Sequence, residues 1–294
     1  MKLALFDDHR LGVVEDTADG GHVVDVTAAL TWPHDPDPVT AGWWRRLCRD
    51  YGEIRERLAA AAAAGPRTPL ADVRLRAPAL NPSKIVACAS NYADHVAEMH
   101  GVQERTLGGV ESWMMRFDVF LKAPSSLSGP AEDIVLPEEV VAAGQEIHHE
   151  SELVIVVGRG GTDIAEEEAL DRVAGYTLGL DVTVRSAADR SRRKSYDTFS
   201  PLGPWITTAD EITDPGGLEI RLDVNGEVRQ DVHTRDLMTP VPRIVAYASS
   251  MMTLLPGDLI FTGAPPGVGP LTPGDRLHAR ISRIGDLRLN VREG

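Results

Sequence analysis

Hydrophobic and polar positions change rhythm along this chain. Arg10 to Glu15 and His22 to Val26, on either side of Gly20-Gly21, alternate over short spans and read as strands joined by turns. Trp43 to Ala64 carries good helix formers in an amphipathic pattern, closes on an alanine run and meets Gly65-Pro66, which predicts a helix with a definite stop. Residues 65 to 80 read as a linker. From Lys84 onward, short apolar runs are broken by Gly, Pro and Asp, the texture of a compact β-rich domain. Leu218, Ile220, Leu222 and Val224 alternate up to Asn225-Gly226, a pair suited to a type I′ hairpin turn. Leu277, Ala279 and Ile281, then Leu287, Leu289 and Val291, flank Gly285-Asp286 in the same way. Helices are expected at Glu166 to Ala174 and Pro242 to Leu254, and no repeat of solenoid or propeller period is present. The pattern predicts a small N-terminal domain over 1–75, of strands, a helix and a linker, and a main domain over 76–294. The expected fold class is α+β, predominantly β.

Charge narrows the function. The 294 residues include 44 acidic and 30 basic ones, for a net charge of −14, which repels a nucleic-acid backbone unless a basic patch is segregated. Arg185 to Lys194 is basic but lacks interleaved aromatics, and reads as a solvated loop or an anion-holding lip. Cys48 and Cys88 form no CxxC pattern, so neither a disulfide framework nor a cysteine-based metal site is expected, in keeping with a reducing cytoplasm. Acidic residues appear early and nowhere do 18 apolar residues run together, so neither a cleaved leader nor a membrane partner is expected. A negative protein that binds an anionic substrate needs local cations or a bound metal.

Glu150 and Glu152 stand two apart just before the apolar run Leu153 to Val157, so in a strand they share a face at the mouth of a buried element. Either they are a solvated strand end or a hard divalent cation, Mg²⁺ or Mn²⁺, sits between them. Asp181 follows the apolar stretch Tyr176 to Leu180 and is either a turn residue or a third carboxylate of that set. His95 and Glu98 share a helix face at i,i+3 spacing, the pattern of a surface pair or of an imidazole whose tautomer a carboxylate fixes for activating water. Gly101 to Phe117, holding Gly108-Gly109, Trp113, Met114 and Met115, reads as a lid, a packed excursion or a dimer contact. Lys194 lies in a turn-rich stretch that either holds it rigidly to stabilise an enolate or leaves it solvated.

Taken in order, these segments resemble the fumarylacetoacetate hydrolase family across about residues 84 to 291. The matching stretches include Asn91-Tyr92 through Glu98, Phe120 to Ser125, Glu150-x-Glu152-Leu153, Val173 to Tyr176 and Asp181-x-Thr183-x-Arg185. They continue with Lys194-Ser195-x-Asp197, Pro201 to Pro204, Val224 to Glu227 and Pro256-Gly257-Asp258-x-Ile260-x-Thr262-Gly263. The resemblance implies a mixed β-roll, a homodimer, and a Mg²⁺ or Mn²⁺ ion held by Glu150, Glu152 and Asp181. It also implies a His95–Glu98 dyad on a lid segment, Lys194 facing a small anionic dicarbonyl substrate, and Arg185 on a substrate carboxylate or behind the metal shell. Lys122, Asn225 and Thr262 match positions near the substrate. The implied activity is hydrolysis of a C–C bond in an acylpyruvate-type acid of aromatic or amino-acid catabolism, with water delivered by His95 and an enolate leaving. Decarboxylation of an oxaloacetate-like acid and isomerisation of an unsaturated dioate fit the same motifs, and a catalytically silent binding protein is the rival outside enzymes. The sequence departs from the family pattern at Ala188, where a glutamine is common, in a shortened connection from Arg185 to Lys194, at Ala264, and at Ala89-Ser90 before Asn91.

Overall fold

A computed structural model describes residues 1–15, 20–110 and 115–294. The chain opens with strands β1 (Lys2–Phe6), β2 (Arg10–Glu15) and β3 (His22–Asp25), helix α1 (Gly42–Ala64) and strand β4 (Arg67–Pro69). Strand β5 (Ile85–Ala89), helix α2 (Ala93–Leu107) and strand β6 (Asp118–Lys122) follow, then short β7 (Leu127–Ser128), β8 (Ile134–Leu136) and helix α3 (Glu138–Ala142). The middle of the chain holds β9 (Ile147–His149), β10 (Ser151–Val157), β11 (Val173–Leu180), β12 (Thr183–Val184), helix α4 (Arg190–Arg193) and β13 (Ser200–Thr208). It closes with β14 (Glu219–Val224), β15 (Glu227–His233), helix α5 (Val241–Met251), β16 (Leu259–Phe261), β17 (Gly269–Pro270), β18 (Arg276–Ile281) and β19 (Gly285–Glu293).

The strands make a mixed β-roll of three sheets. The largest runs β4-β3-β2-β1-β13-β11-β10-β16-β5-β6, with β7 beside β13; a second is β12-β9-β17, and a third is β15-β14-β18-β19-β8. The α+β, predominantly β class expected from the sequence is the one adopted. Strand β10 explains its own unbroken apolar run. Leu153, Ile155 and Val157 face the core shared with the third sheet, while Val154 and Val156 face α1 through Trp44, Leu47 and Leu58. Both faces are covered, so no polar alternation survives. Each such fully buried side chain contributes roughly 1.5–3 kcal/mol of burial free energy.

The boundary expected near residue 75 does not separate two cores. Strand β1 extends the main sheet by pairing with β13, Lys2 opposite Thr207 and Leu3 opposite Ile206, and the hydrophobic cluster under α1 includes Val154, Val156, Leu259 and Phe261. The linker expected over 65–80 contains edge strand β4, which pairs with β3. Glu166 to Ala174, expected to be a helix, is a 3-10 helix over Glu166–Arg172, and Val173 already begins β11. There the ladder to β10 outweighs local helix propensity. The Asn225-Gly226 hairpin forms as predicted, with φ of 54° and 84°. In the last hairpin the turn is Ser282 to Ile284, and Gly285 is small because a Cβ there would lie 2.9 Å from the Trp205 ring. Among the described residues no helix is long and apolar enough to cross a membrane. Trp113 and Met114 of the expected lid fall outside the described residues.

Candidate active site

The acidic cluster sits at a bend between two sheets. Strands β10 and β11 pair antiparallel with Ser151 opposite Leu180, and their continuations β9 and β12 pair with His148 opposite Thr183 in the second sheet. Between these ladders the Asp181 N–H donates to the Glu150 carbonyl at 2.8 Å. The pair of strands therefore changes sheets at Glu150 and Asp181, and Glu152 follows two residues along β10, on the same side. Carboxylate oxygens of Glu150, Glu152 and Asp181 all lie within 4.8 Å of one another, and all three residues are buried.

Cations compensate these charges unevenly. Glu150 accepts from Arg185 Nη2 at 2.6 Å and from Lys194 Nζ at 2.9 Å. Asp181 accepts from Lys194 Nζ at 2.6 Å and from Lys122 Nζ at 2.6 Å. Among the described residues Glu152 accepts only the Gly263 N–H, at 2.6 Å on Oε2, and its buried Oε1 has no hydrogen-bond partner. Burial opposes the charge on Glu150, but Lys194 and Arg185 outweigh it and hold that carboxyl well below the usual range. Burial, then the neighbouring Asp181 and Glu150 charges, push Glu152 well above it. An orphaned oxygen among oxygen-only donors is the environment that a hard divalent cation fits. The three residues thus suit the ion that their pattern implied.

Helix α2 brings the His–Glu pair over this bend. It begins after extended Tyr92 and ends at left-handed Gly108. Asn91, fully buried, anchors its entry: the side-chain amide donates to the carbonyls of Thr262 at 2.8 Å and Thr239 at 3.0 Å, and Oδ1 accepts the Thr239 N–H at 2.7 Å. His95 Nδ1 lies 3.4 Å from Glu98 Oε2, and the Glu98 carboxylate accepts the Gly267 N–H at 3.1 Å. With Nδ1 turned to Glu98, Nε2 is the ring nitrogen left for the cleft, a tautomer assigned from the partner geometry. The cleft is lined by His95, Met99 and Gln103 from α2, by Glu150, and by the basic segment around α4.

Three residues expected near the substrate are engaged elsewhere. Lys122 is buried and divided between Asp181 and the Phe199 carbonyl at 2.7 Å, so it supports a carboxylate from behind. The Thr262 hydroxyl donates to the Leu153 carbonyl at 3.0 Å and ties β16 to β10. Asn225 is exposed in the β14–β15 turn, where its side chain donates to Asp275 at 2.8 Å and accepts the Arg276 N–H at 2.9 Å. Its short amide caps a hairpin, which is what its type I′ turn position needs. Arg185 donates to Glu150. Sequence reasoning passed over Gln103 and Arg193, which line the cleft. Gln103 was within reach, since it stands eight residues after His95 on the same helical face. Arg193 was hidden inside a basic stretch whose individual directions no periodicity gives.

Residues 84–292, the span that carries every group just described, match the family described as fumarylacetoacetate (FAA) hydrolase C-terminal, and the chain belongs to that family. Within it, the chain is 42% identical over 99% of its length, and 99% of the relative's, to a maleylpyruvate hydrolase of Aquipseudomonas alcaligenes. Its structure resembles the crystal structure of maleylpyruvate hydrolase from Sphingobium sp. SYK-6 in complex with manganese(II) and pyruvate, with a TM-score of 0.85, 41% identity and full coverage of both chains. It also resembles a 2-hydroxyhepta-2,4-diene-1,7-dioate isomerase from Mycobacterium marinum, at a TM-score of 0.73 and 33% identity over 100% of this chain and 98% of that one.

Proposed function

We propose that the chain hydrolyses a C–C bond in a small acylpyruvate-type acid. The observation that carries this reading is the cluster of three buried carboxylates, one with an orphaned oxygen on Glu152, whose member Glu150 lines the same cleft as His95. Glu150, Glu152 and Asp181 would hold a Mg²⁺ or Mn²⁺ ion, which would supply positive charge to polarise a dicarbonyl substrate. His95, its ring oriented by Glu98, takes a proton from water, and the water oxygen attacks the carbonyl farther from the pyruvoyl end. That C–C bond then breaks; its electron pair passes to pyruvate enolate, and the acyl fragment leaves as a carboxylic acid. Lys194, bridging Glu150, Asp181 and Thr183, places an ammonium where enolate charge develops, and one proton on the enolate carbon completes pyruvate. The likeness to maleylpyruvate hydrolases, one of them crystallised with manganese(II) and pyruvate, supports the reading.

A proton shift without bond cleavage is the second reading, favoured by the likeness to an isomerase and by the 3.4 Å His95–Glu98 contact, long for a poised base. Turnover of acetylpyruvate, fumarylpyruvate and oxaloacetate with Mg²⁺, Mn²⁺ or chelator separates them. Chelator-sensitive release of pyruvate from an acylpyruvate is the expected result. Pyruvate from oxaloacetate alone indicates decarboxylation, and enol–keto interconversion without pyruvate indicates the proton shift; either outcome refutes hydrolysis.

A further inference from the structure

Helix α2 carries the base of the proposed reaction, yet hydrophobic packing barely holds it. Among its described side chains only His95, Met99 and Gln103 are buried, and Met99 joins none of the hydrophobic clusters of the core. Gly101 interrupts the helix near mid-length, where a Cβ would meet nothing within 4 Å, and glycine weakens a helix interior. A helix docked so lightly takes its position from polar ties. Asn91 anchors the entry, and Glu98 holds the middle through the Gly267 N–H. The far end is tied by Arg105, two residues before the last helical position, which donates to Glu146 through both terminal nitrogens, Nη1 to Oε1 and, at 3.2 Å, Nη2 to Oε2.

Glu146 is placed to pass that tie on. It stands one residue before β9, and its carbonyl accepts the Arg185 N–H at 2.7 Å. Its Oε2 also meets His148 Nε2 at 2.8 Å. Arg105, then His148, hold the Glu146 carboxyl down at about 2, so the pair stays charged across the neutral range. Four residues further on comes Glu150, to which the Arg185 side chain donates. The residue that receives the end of the helix is thus joined through the backbone to two members of the acidic site. We infer that Arg105 and Glu146 are positioning residues: their pair fixes the far end of α2 against the strand leading into Glu150, and so sets the distance from His95 to the carboxylate cluster. The inference rests on the hydrolysis reading for the part that His95 plays.

The test uses Arg105→Gln, Glu146→Gln, the double variant and Arg105→Lys, read by acetylpyruvate turnover with Mn²⁺ and by amide hydrogen exchange. Arg105→Gln should lower kcat about 10-fold, leave KM within about 3-fold and Mn²⁺ affinity unchanged, and speed exchange about 5-fold across α2 but not in β10 or β11. Because both substitutions break one pair, the double variant should lose no more than the worse single one, and Arg105→Lys should recover part of the loss. Loss of kcat without faster exchange in α2, faster exchange without loss of kcat, or additive losses in the double variant overturn the inference. If wild type cleaves no acylpyruvate, exchange still decides. Faster exchange confined to α2 in Arg105→Gln then keeps the tie and removes the hydrolase reading; unchanged exchange removes the tie.

Discussion

Asp258 and Glu152 are both fully buried carboxylates, at 0% exposure, yet they are treated in opposite ways. Asp258 accepts from the Ser83 N–H at 2.8 Å, the Ser83 hydroxyl at 2.7 Å, Lys84 Nζ at 2.7 Å and the Leu255 N–H at 2.8 Å. Every lone pair is spoken for, and the residue clamps the start of β5 to the turn before β16. Among the described residues Glu152 has one backbone donor and one bare oxygen, and its carboxylate clusters with two more. Satisfied burial holds a fold together, whereas unsatisfied burial is tolerated where something else binds.

The largest effect should come from erasing that difference at Glu152. Glu152→Gln should lower turnover on the order of 10³-fold, while the metal-free protein melts no lower than wild type, because one buried like charge has gone. An active, chelator-insensitive variant sinks the contrast. Asp258→Ala should do the reverse. Stability should fall by about 3 kcal/mol, seen as a lower denaturant midpoint at unchanged slope, with full activity per folded molecule. A stable but inactive Asp258→Ala merges the two regions. His95→Gln should be milder, lowering hydrolysis about 10²-fold with metal affinity intact by titration calorimetry. If metal affinity falls as well, His95 belongs with the carboxylates and not with the water.

Local features were the legible ones. Helix α1 and the Asn225-Gly226 hairpin follow from spacing and turn chemistry within a few residues, and the structure has both. The meeting of Glu150 with Asp181 depends on the β10–β11 register, a non-local choice; the pattern alone left Asp181 open between a turn residue and a third carboxylate, and the resemblance to a family favoured the carboxylate. At Lys122, Thr262 and Asn225 the resemblance gave no direction, because a motif position records that a side chain matters without saying which way it points; here they bond to Asp181, the Leu153 carbonyl and Asp275. Ser90 shows the converse. Its φ of 57° explains why a glycine suits this approach to Asn91, but a serine in that conformation leaves no local trace in a single sequence.

The β10–β11 ladder also has a history written into where it is irregular. Its register slips between Val156 and Val157, at the end away from the carboxylates, whereas Ser151 to Val156 keep step with their partners from Leu180 to Gly175. A residue gained or lost near the slip can be absorbed as a bulge. One gained between Glu150 and Glu152, or just before Asp181, turns a carboxylate to the wrong face. Relatives of this chain should therefore differ in length around residue 157 and its partner Val173, and almost never at the opposite end of the same two strands.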